Sequence, residues 1–532
     1  MSTPTAFPGV HVSEIDGGGY TITPVATNIT AFVGRAPLGP TDVPVTVFNY
    51  GDFTRFFGGL QLDYPMSYAV RDFFANGGSQ AVIARLFEPD GGDGVARLSL
   101  PGAPLLAASP GAWGNRLAAA VDTSGITDAS SKPFERYGIE AKDLFNLTLT
   151  LHDAPGRTVA TERFLNLAVS SAGAAAEYPD RLDRVLANQS NLARADALAA
   201  APPPAGAAAA GVGGNDGTWL SPAAYLGDGS GGTGIRLLER GDVFNLLCIP
   251  PDRRLVPGAP AGEQDLDPAV RQAAALYCVE RRAFYIVDPP ADWSDKAAQG
   301  QIAAIDPASL GIGGAYAAGI EVSRNAAVYF PRIWRQDPLA EAQPGLFAPC
   351  GAVAGVFAAT DVARGVWKAP AGIDAGLADV ARFEIRLNDE ENGILNPLGI
   401  NCLRDLPTIG PVVWGARTLR GADILGDDYK YVSVRRLALF VEECLARGTQ
   451  WATFEPNDEA LWSSLRLSVG AFLADLKRQG AFYDYFVKCD SSTTTRDDVD
   501  NGVVNILVGF AAVKPAEFLV IHIQQAAGAG PG

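Results

Sequence analysis

Histidine is nearly absent from this chain. Among 532 residues only His11, His152 and His522 occur, in three far-apart strand-like segments. A metal or catalytic cluster built on imidazole is therefore not expected. The six cysteines (Cys248, Cys278, Cys350, Cys402, Cys444 and Cys489) form no CxxC pair. Isolated cysteines inside apolar stretches, as in residues 244–249, read as small buried hydrophobes of a protein made in a reducing cytoplasm. No apolar run reaches ~18 residues, so no membrane span is expected. Residues 1–9 carry neither a basic nor an apolar leader segment, so no signal peptide is expected. Basic charge is in deficit: 42 Lys and Arg against 59 Asp and Glu give a formal net charge of −17. Such a surface repels phosphate backbones, which argues against nucleic acid as a partner. Copies packed side by side would also have to manage like-charge repulsion.

What the chain has in quantity is apolar residues, 48%, against 19% charged. That suffices for packed cores and argues against disorder. At ~150 residues per domain, the length predicts roughly two to four domains. Val10, His11, Val12, Ser13, Glu14 and Ile15 alternate apolar and polar before Gly17-Gly18-Gly19, so they read as an ordinary edge strand or a detachable arm. Residues 29–33 and 43–48 read as strands. Residues 65–76 read as a helix with Met66, Val70, Phe73 and Phe74 on one face and Gly77 as its stop, and residues 81–86 as the next strand. Residues 97–205 change character. Residues 145–151 alternate strictly, with one face buried and one wet, as in a β-rich inserted module. That module ends in an Ala/Pro-rich stretch, residues 199–217, read as a linker. From residue 243 the α/β pattern returns, with near-continuous apolar runs at 243–249 and 283–287.

In the last third, residues 434–447 read as a helix with Ser433 as its cap and Gly448 as its stop. A second helix opens at residues 456–459 with Asn457 as its cap. It carries Leu461, Leu465, Val469, Phe472 and Leu476 at helical spacing, and Lys477 and Arg478 suit the negative end of its dipole. Residues 486–489 and 503–510 read as strands. Phe518, Leu519, Val520, Ile521, His522 and Ile523 form a strand with two mostly apolar faces. It is either deep in its own sheet or donated to a neighbour's.

No HExxH, P-loop or nucleophile elbow is present. Gly227-Asp228-Gly229-Ser230-Gly231-Gly232 matches GxGxxG literally. It follows a polar loop, however, and residues 233–238 after it look extended, whereas a dinucleotide site needs strand, loop and helix. Asp497-Asp498-Val499-Asp500-Asn501-Gly502 fails the calcium-loop pattern, because Val499 falls at a ligand position and Val508 where glutamate should stand. It reads as a turn with solvated carboxylates, and residues 389–393 read as an exposed acidic loop. No catalytic, cofactor or metal residue is assigned.

Several blocks together resemble one family. Residues 8–15 are similar to its PGVYVEE start. Residues 25–39 and 69–86 resemble the segments that follow. Ser109-Pro110-Gly111-Ala112-Trp113-Gly114-Asn115 and Gly213-Gly214-Asn215-Asp216-Gly217 resemble the two borders of its inserted domain. Gly399-Ile400-Asn401, residues 413–419, 431–436, 447–451 and 454–458, Asp500-Asn501-Gly502 and residues 514–518 complete the set in order. The chain resembles the tail sheath proteins of contractile phages, phage-like bacteriocins and extracellular contractile injection systems. The Ala/Pro-rich stretch and the glycine tail at 528–532 depart from the pattern.

The resemblance implies an α+β or α/β multidomain fold. Its parts would be an N-terminal arm (1–22), a middle α/β domain (23–96 with 206–380), an outer β-rich domain (97–205) and an inner domain (381–532). It implies a helical homo-oligomer of stacked hexameric rings around an inner tube protein, with baseplate and terminator proteins as further partners and no enzyme activity, cofactor, nucleic acid or membrane. The setting would be the bacterial cytoplasm and then a virion tail or tail-like particle, with release outside the cell left open. The terminal arms would add strands to a neighbour's sheet. Val10–Ile15 and Phe518–Ile523 are the donors, and Phe486, Val487, Val504, Ile506, Val508 and Phe510 the receivers. An inner-domain helix would face the tube, with Arg466, Lys477 and Arg478 as candidate contacts. Two other readings stay open: a nucleotide-dependent α/β enzyme using the 227–232 loop, and a non-contracting surface protein.

Overall fold

The computed structural model describes residues 20–169, 173–198, 201–229, 231–256, 264–313, 316–317, 320–341 and 343–517. Both expected arm strands, 10–15 and 518–523, lie outside them. The described chain divides into two compact units. One holds residues 27–364 and 368–435, the other residues 20–26, 365–367 and 436–517.

The larger unit is built on an eight-stranded sheet. Its order is Val45–Val47, Ala81–Arg85, Thr30–Gly34, Leu246–Cys248, Phe284–Val287, Ala326–Phe330, Ile400–Leu406 and Gly410–Val413. The six inner strands run parallel and the two edge strands antiparallel. Parallel strands are joined by crossovers that cover both faces, which is why their sequences are continuously apolar. Every residue of Thr30–Gly34, Ala81–Arg85, Phe284–Val287 and Ala326–Phe330 is buried. Helices Pro65–Ala75 and Cys350–Arg364 pack against each other at very short range. A Cβ at Gly351 would stand 2.1 Å from the Ala69 carbonyl oxygen, and one at Gly355 2.5 Å from that of Phe73. Only glycine allows that approach.

Several local expectations change. The 43–48 strand shortens to Val45–Val47, and an unforeseen two-turn helix, Tyr50–Phe57, follows, capped by Asn49 and burying Phe53 and Phe57. Ser433 is not a cap: the helix runs Val432–Gly448, and Ser433 is buried in its first turn. The expected border at 380/381 moves, because residues 381–435 belong to the larger unit. The reason is strand Ile400–Leu406, which pairs with Ala326–Phe330 through Val328↔Ile400 and Phe330↔Cys402. Asn401 locks it there. Its side-chain amide donates to the carbonyls of Val328 (3.1 Å) and Arg417 (2.7 Å), and its oxygen accepts from the Arg417 backbone N–H (2.7 Å).

The inserted module carries a four-stranded antiparallel sheet, ordered Ala208–Ala210, Leu117–Asp122, Phe145–His152 and Thr158–Leu167. In Phe145–His152 the alternation appears as Phe145, Leu147, Leu149 and Leu151 buried in one core. The Ala-rich stretch is not only a linker, since Ala208–Ala210 pairs with Ala118–Ala120. Ala209 packs against the module core, while Ala208 and Ala210 face outward. The two borders of the insertion are bonded to each other. Arg97 and Val212 exchange backbone hydrogen bonds of 2.8 and 3.1 Å. The Asn115 amide donates to the Gly214 carbonyl and accepts from the Gly214 N–H, both at 2.8 Å. Asp216 accepts from the Ala112 N–H at 2.8 Å. Beneath them the buried Arg85 donates to the carbonyls of Ala36, Gly39 and Pro110. Burial pulls its pKa down to about 10.

Candidate assembly surfaces

The smaller unit is organised by helix Glu459–Arg478. Its cap is Asp458, whose carboxylate accepts from the N–H groups of Ala460 and Leu461, each at 3.0 Å. Asn457, the expected cap, does other work: it accepts from the Trp462 indole N–H (2.8 Å) and donates to the Val503 carbonyl (3.0 Å). Leu461, Leu465, Val469, Phe472 and Leu476 are buried, as their spacing predicts, and Trp462 and Leu473 join them. Part of this stripe packs with Leu437, Val441 and Cys444 and with Ile22. Burial pushes the Cys444 thiol up to about 11, and its sulfur accepts from the Val25 N–H at 3.3 Å.

Past the left-handed Gly480 (φ 88°) the chain enters a two-stranded antiparallel ribbon, Phe482–Lys488 with Leu507–Ala512. Tyr485, Val487, Val508 and Phe510 pack onto the helical core. The other face shows Phe486 half exposed and Leu507 and Tyr483 exposed. Phe486 lies opposite Gly509, where a Cβ would stand 2.3 Å from its ring, so glycine lets the ring lie flat across the strand pair. Among the described residues neither strand has a second neighbour. Each outer edge therefore carries backbone groups without a ladder partner. A ribbon of two strands is marginal by itself and needs packing or further strands.

Four of the six residues expected as receivers, Phe486, Val487, Val508 and Phe510, sit in this ribbon. Val504 and Ile506 do not. The strand begins at Leu507, because Val504 and Ile506 are drawn into a small cluster with Leu461, Trp462, Leu465 and Cys489. The Asn505 N–H is taken by the Thr494 hydroxyl at 3.0 Å.

Each of the three candidate tube-facing cations has an acidic neighbour in its own chain. Arg466 pairs with Glu459 (2.7 Å), donates also to the Cys489 carbonyl, and is 31% exposed. Lys477 pairs with Asp484 (2.9 Å), and that bond holds the Asp484 carboxyl below the usual range. Arg478 pairs with Asp475 (2.6 Å) and, at 78%, is the most exposed of the three. Arg466 and Lys477 stand roughly three turns apart on one side of the helix. Nothing in the local pattern marks Phe454 as exposed. It is fully exposed with its backbone in the left-handed region (φ 73°), a conformation a bulky residue rarely adopts.

The motifs that suggested chemistry are spent on local structure. The GxGxxG loop is preceded by helix Pro222–Leu226, not by a strand. Residues 233–238, expected to be extended, fall largely in the 3-10 helix Gly234–Arg240. The Thr233 hydroxyl donates to Asp228 at 2.7 Å and accepts from the Asp228 N–H at 3.1 Å, closing the loop on itself. Residues 389–393 are not a loop. Helix Asp389–Leu395 starts there, with Asn388 and Glu391 in a reciprocal capping box and Asp389 paired to Arg404 at 2.6 Å. Asp497 and Asp498 lie on the short helix Arg496–Asp500, where Asp498 accepts from the Thr495 N–H and hydroxyl. Among the described residues no helix is long and apolar enough to cross a membrane.

Comparison with known proteins places this architecture. The fold is shared along nearly the whole chain with contractile sheath subunits. The crystal structure of the sheath tail protein from Listeria innocua matches with a TM-score of 0.57 at 13% identity, covering 92% of this chain and 96% of that one. The contracted sheath of an extracellular contractile injection system, PVC, matches with a TM-score of 0.52 at 20% identity and 99% coverage of both. A chain of the anti-feeding prophage baseplate matches with a TM-score of 0.52 at 22% identity, covering 98% and 100%. Residues 426–526 match the phage tail sheath C-terminal domain. The tail sheath protein of Vibrio phage KVP40 is 29% identical over 168 residues, 31% of this chain and 24% of the relative. That of Enterobacteria phage T4 is 27% identical over 165 residues, 31% and 24%. The matched region thus spans about a quarter of these relatives. The C-terminal residues 426–526 thus match the phage tail sheath C-terminal domain, and the chain shares its fold with contractile sheath subunits.

Proposed function

We propose that this chain is a structural subunit, not an enzyme, which polymerises as stacked hexameric rings around an inner tube and shortens to drive that tube through a target envelope. The observation that carries the reading is the ribbon of Phe482–Lys488 and Leu507–Ala512, with both edges open among the described residues and aromatic side chains on its outer face. Strand addition satisfies open-edge backbone groups and lets alternate side chains fill pockets. The donors are residues 10–15 and 518–523 of neighbouring copies. Backbone-paired arms act as hinges, so that bodies can rotate while the mesh stays connected. Helix Glu459–Arg478 faces the tube. A baseplate and a terminator protein bound the assembly, which forms in the bacterial cytoplasm as part of a phage tail or tail-like particle.

The test is the assembly state of the full chain, alone and with a tube protein, by negative-stain microscopy. Long tubes with two lattice lengths are the expected result. A small soluble oligomer under every condition, or turnover of a nucleotide dependent on the 227–232 loop, would overturn it.

A further inference from the structure

The crossover between the parallel strands Leu246–Cys248 and Phe284–Val287 contains helix Pro268–Glu280, so the first turn of that helix stands at the carboxyl ends of the strands. In open α/β sheets the crevice outside those ends is where ligands bind. Here it holds a cavity of about 570 Å³, within the size range of small-molecule sites. Arg271 of the helix lines it, and Leu220, Pro222 and Leu266 supply apolar wall.

The acidic groups of the wall are already engaged. Asp252 accepts from Arg35 at 2.7 Å and from the Leu220 N–H at 2.8 Å. Asp265 accepts from Arg332 at 2.6 Å and from the Ala291 N–H at 3.0 Å. Asp292 accepts from Lys296 at 2.8 Å. At the helix start the Asp267 carboxylate takes the Ala269 N–H at 2.8 Å, and its carbonyl takes those of Val270 and Arg271. The first turn therefore has no N–H to spare.

Arg271 is the exception. Its side chain is enclosed, with the residue 4% exposed. Among the described residues its guanidinium makes neither a hydrogen bond nor an ion pair. Asp265 and Asp288 feel its charge only from beyond ion-pair distance. Its nitrogens are not sealed from solvent, and in so enclosed a residue that access runs through the cavity it lines. A guanidinium has five N–H donors and stays charged. Holding it buried and unpaired destabilises the fold, and an oxyanion in the cavity would relieve that.

We propose that this cavity binds a small organic anion, its carboxylate or phosphate held by Arg271 and its apolar body set against Leu220, Pro222 and Leu266. The guanidinium fork suits either head, because it pairs with two oxygens at once. The site lies wholly within the larger unit and is independent of the sheath reading.

The test is titration calorimetry on the full chain with four probes. Phenylphosphate and 3-phenylpropionate share a ring and differ in the head, while inorganic phosphate and 3-phenylpropanol present the head and the body alone. Saturable binding of at least one of the two acids is expected, the tighter one naming the head. Arg271→Met keeps the apolar stem and removes the charge, so it should weaken that binding roughly tenfold or more. Without probe its unfolding midpoint should stay level or rise, because an unpaired buried charge is gone. No saturable binding by the parent chain overturns the site, as does binding undiminished in Arg271→Met. A midpoint lowered in that variant would mean that the chain itself already satisfies the guanidinium, and it overturns the site too. Phenylpropanol binding as tightly as the acids overturns the anion, and inorganic phosphate binding as tightly as phenylphosphate overturns the organic class.

Discussion

The two sheets at the heart of this chain end differently. The eight-stranded sheet buries both faces of its inner strands and closes each side with a short antiparallel strand, Val45–Val47 and Gly410–Val413. The ribbon of Phe482–Lys488 and Leu507–Ala512 buries one face and, among the described residues, leaves both edges open. The first completes its hydrogen bonding within the chain. The second pairs two strands among the described residues. Under the proposed function, the first would hold a subunit together and the second would hold subunits to each other, a contrast that experiment can test.

The largest effect is expected from the arms. Deleting residues 1–17, or substituting Val520→Pro, should abolish tubes and leave a folded monomer or small oligomer, because proline removes a ladder donor. Sedimentation and microscopy check this, and normal tubes from either variant would return the 518–523 strand to its own subunit's core. The next experiment makes one kind of change in both regions. Phe32 is fully buried, edge-on to Phe73 at 5.6 Å, and Phe32→Ala should destabilise the larger unit by about 3–5 kcal/mol in denaturant titration. Phe486 is 50% exposed, so Phe486→Ala should leave the unfolding midpoint nearly unchanged and lower tube yield. Equal loss of folding stability at both sites would erase the distinction.

A smaller effect belongs to the larger unit alone. Asp288 is buried, and burial raises its pKa to about 6, although its carboxylate accepts from the Cys350 N–H at 2.9 Å. The folded state therefore holds this proton more tightly than the unfolded chain does. Stability falls as the pH rises from about 4 to about 6, by up to about 3 kcal/mol for a shift of this size. Asp288→Asn should flatten that part of the stability profile. A profile unchanged by the substitution would show that Asp288 titrates normally.

The charge reversal Lys477→Glu with Arg478→Glu should leave the unfolding midpoint unchanged, since exposed pairs contribute little. Repeated along a helical lattice, it should still reduce assembly on the tube, and undiminished assembly would count against a tube-facing helix. The smallest effect is expected from removing the outer module. Residues 94 and 215 are joined by a 3.1 Å backbone hydrogen bond, so replacing residues 95–213 with a short Gly/Ser linker bridges two adjacent points. The larger unit should stay folded and tubes should still form. Unfolding of the eight-stranded sheet would show that the module supports the core.

Elements with a repeating burial pattern were legible from residue order alone. The inner strands read as apolar runs because both faces are covered, and the stripe from Leu461 to Leu476 read as a helix because one face is. The sequence also carried the family's ordered blocks. It could not show what those blocks do, because their partners are distant along the chain. Asn115 meets Gly214 across the neck of the insertion, and Asn401 ties Val328 to Arg417. Local rules also misplaced the caps. Asn457 and Ser433 are good cap residues, but Trp462 and Val503 claim the first and burial the second. The Ala-rich stretch read as a linker because alanine says little locally, and only pairing with residues 118–120 made it a strand. The border near 380 failed for the same reason, since strand Ile400–Leu406 joins the sheet through a partner some seventy residues earlier. Exposure is equally a property of the folded whole. Ile424, Phe454 and Phe486 are hydrophobic in sequence like any core residue, and only the packing of everything else leaves them facing outward.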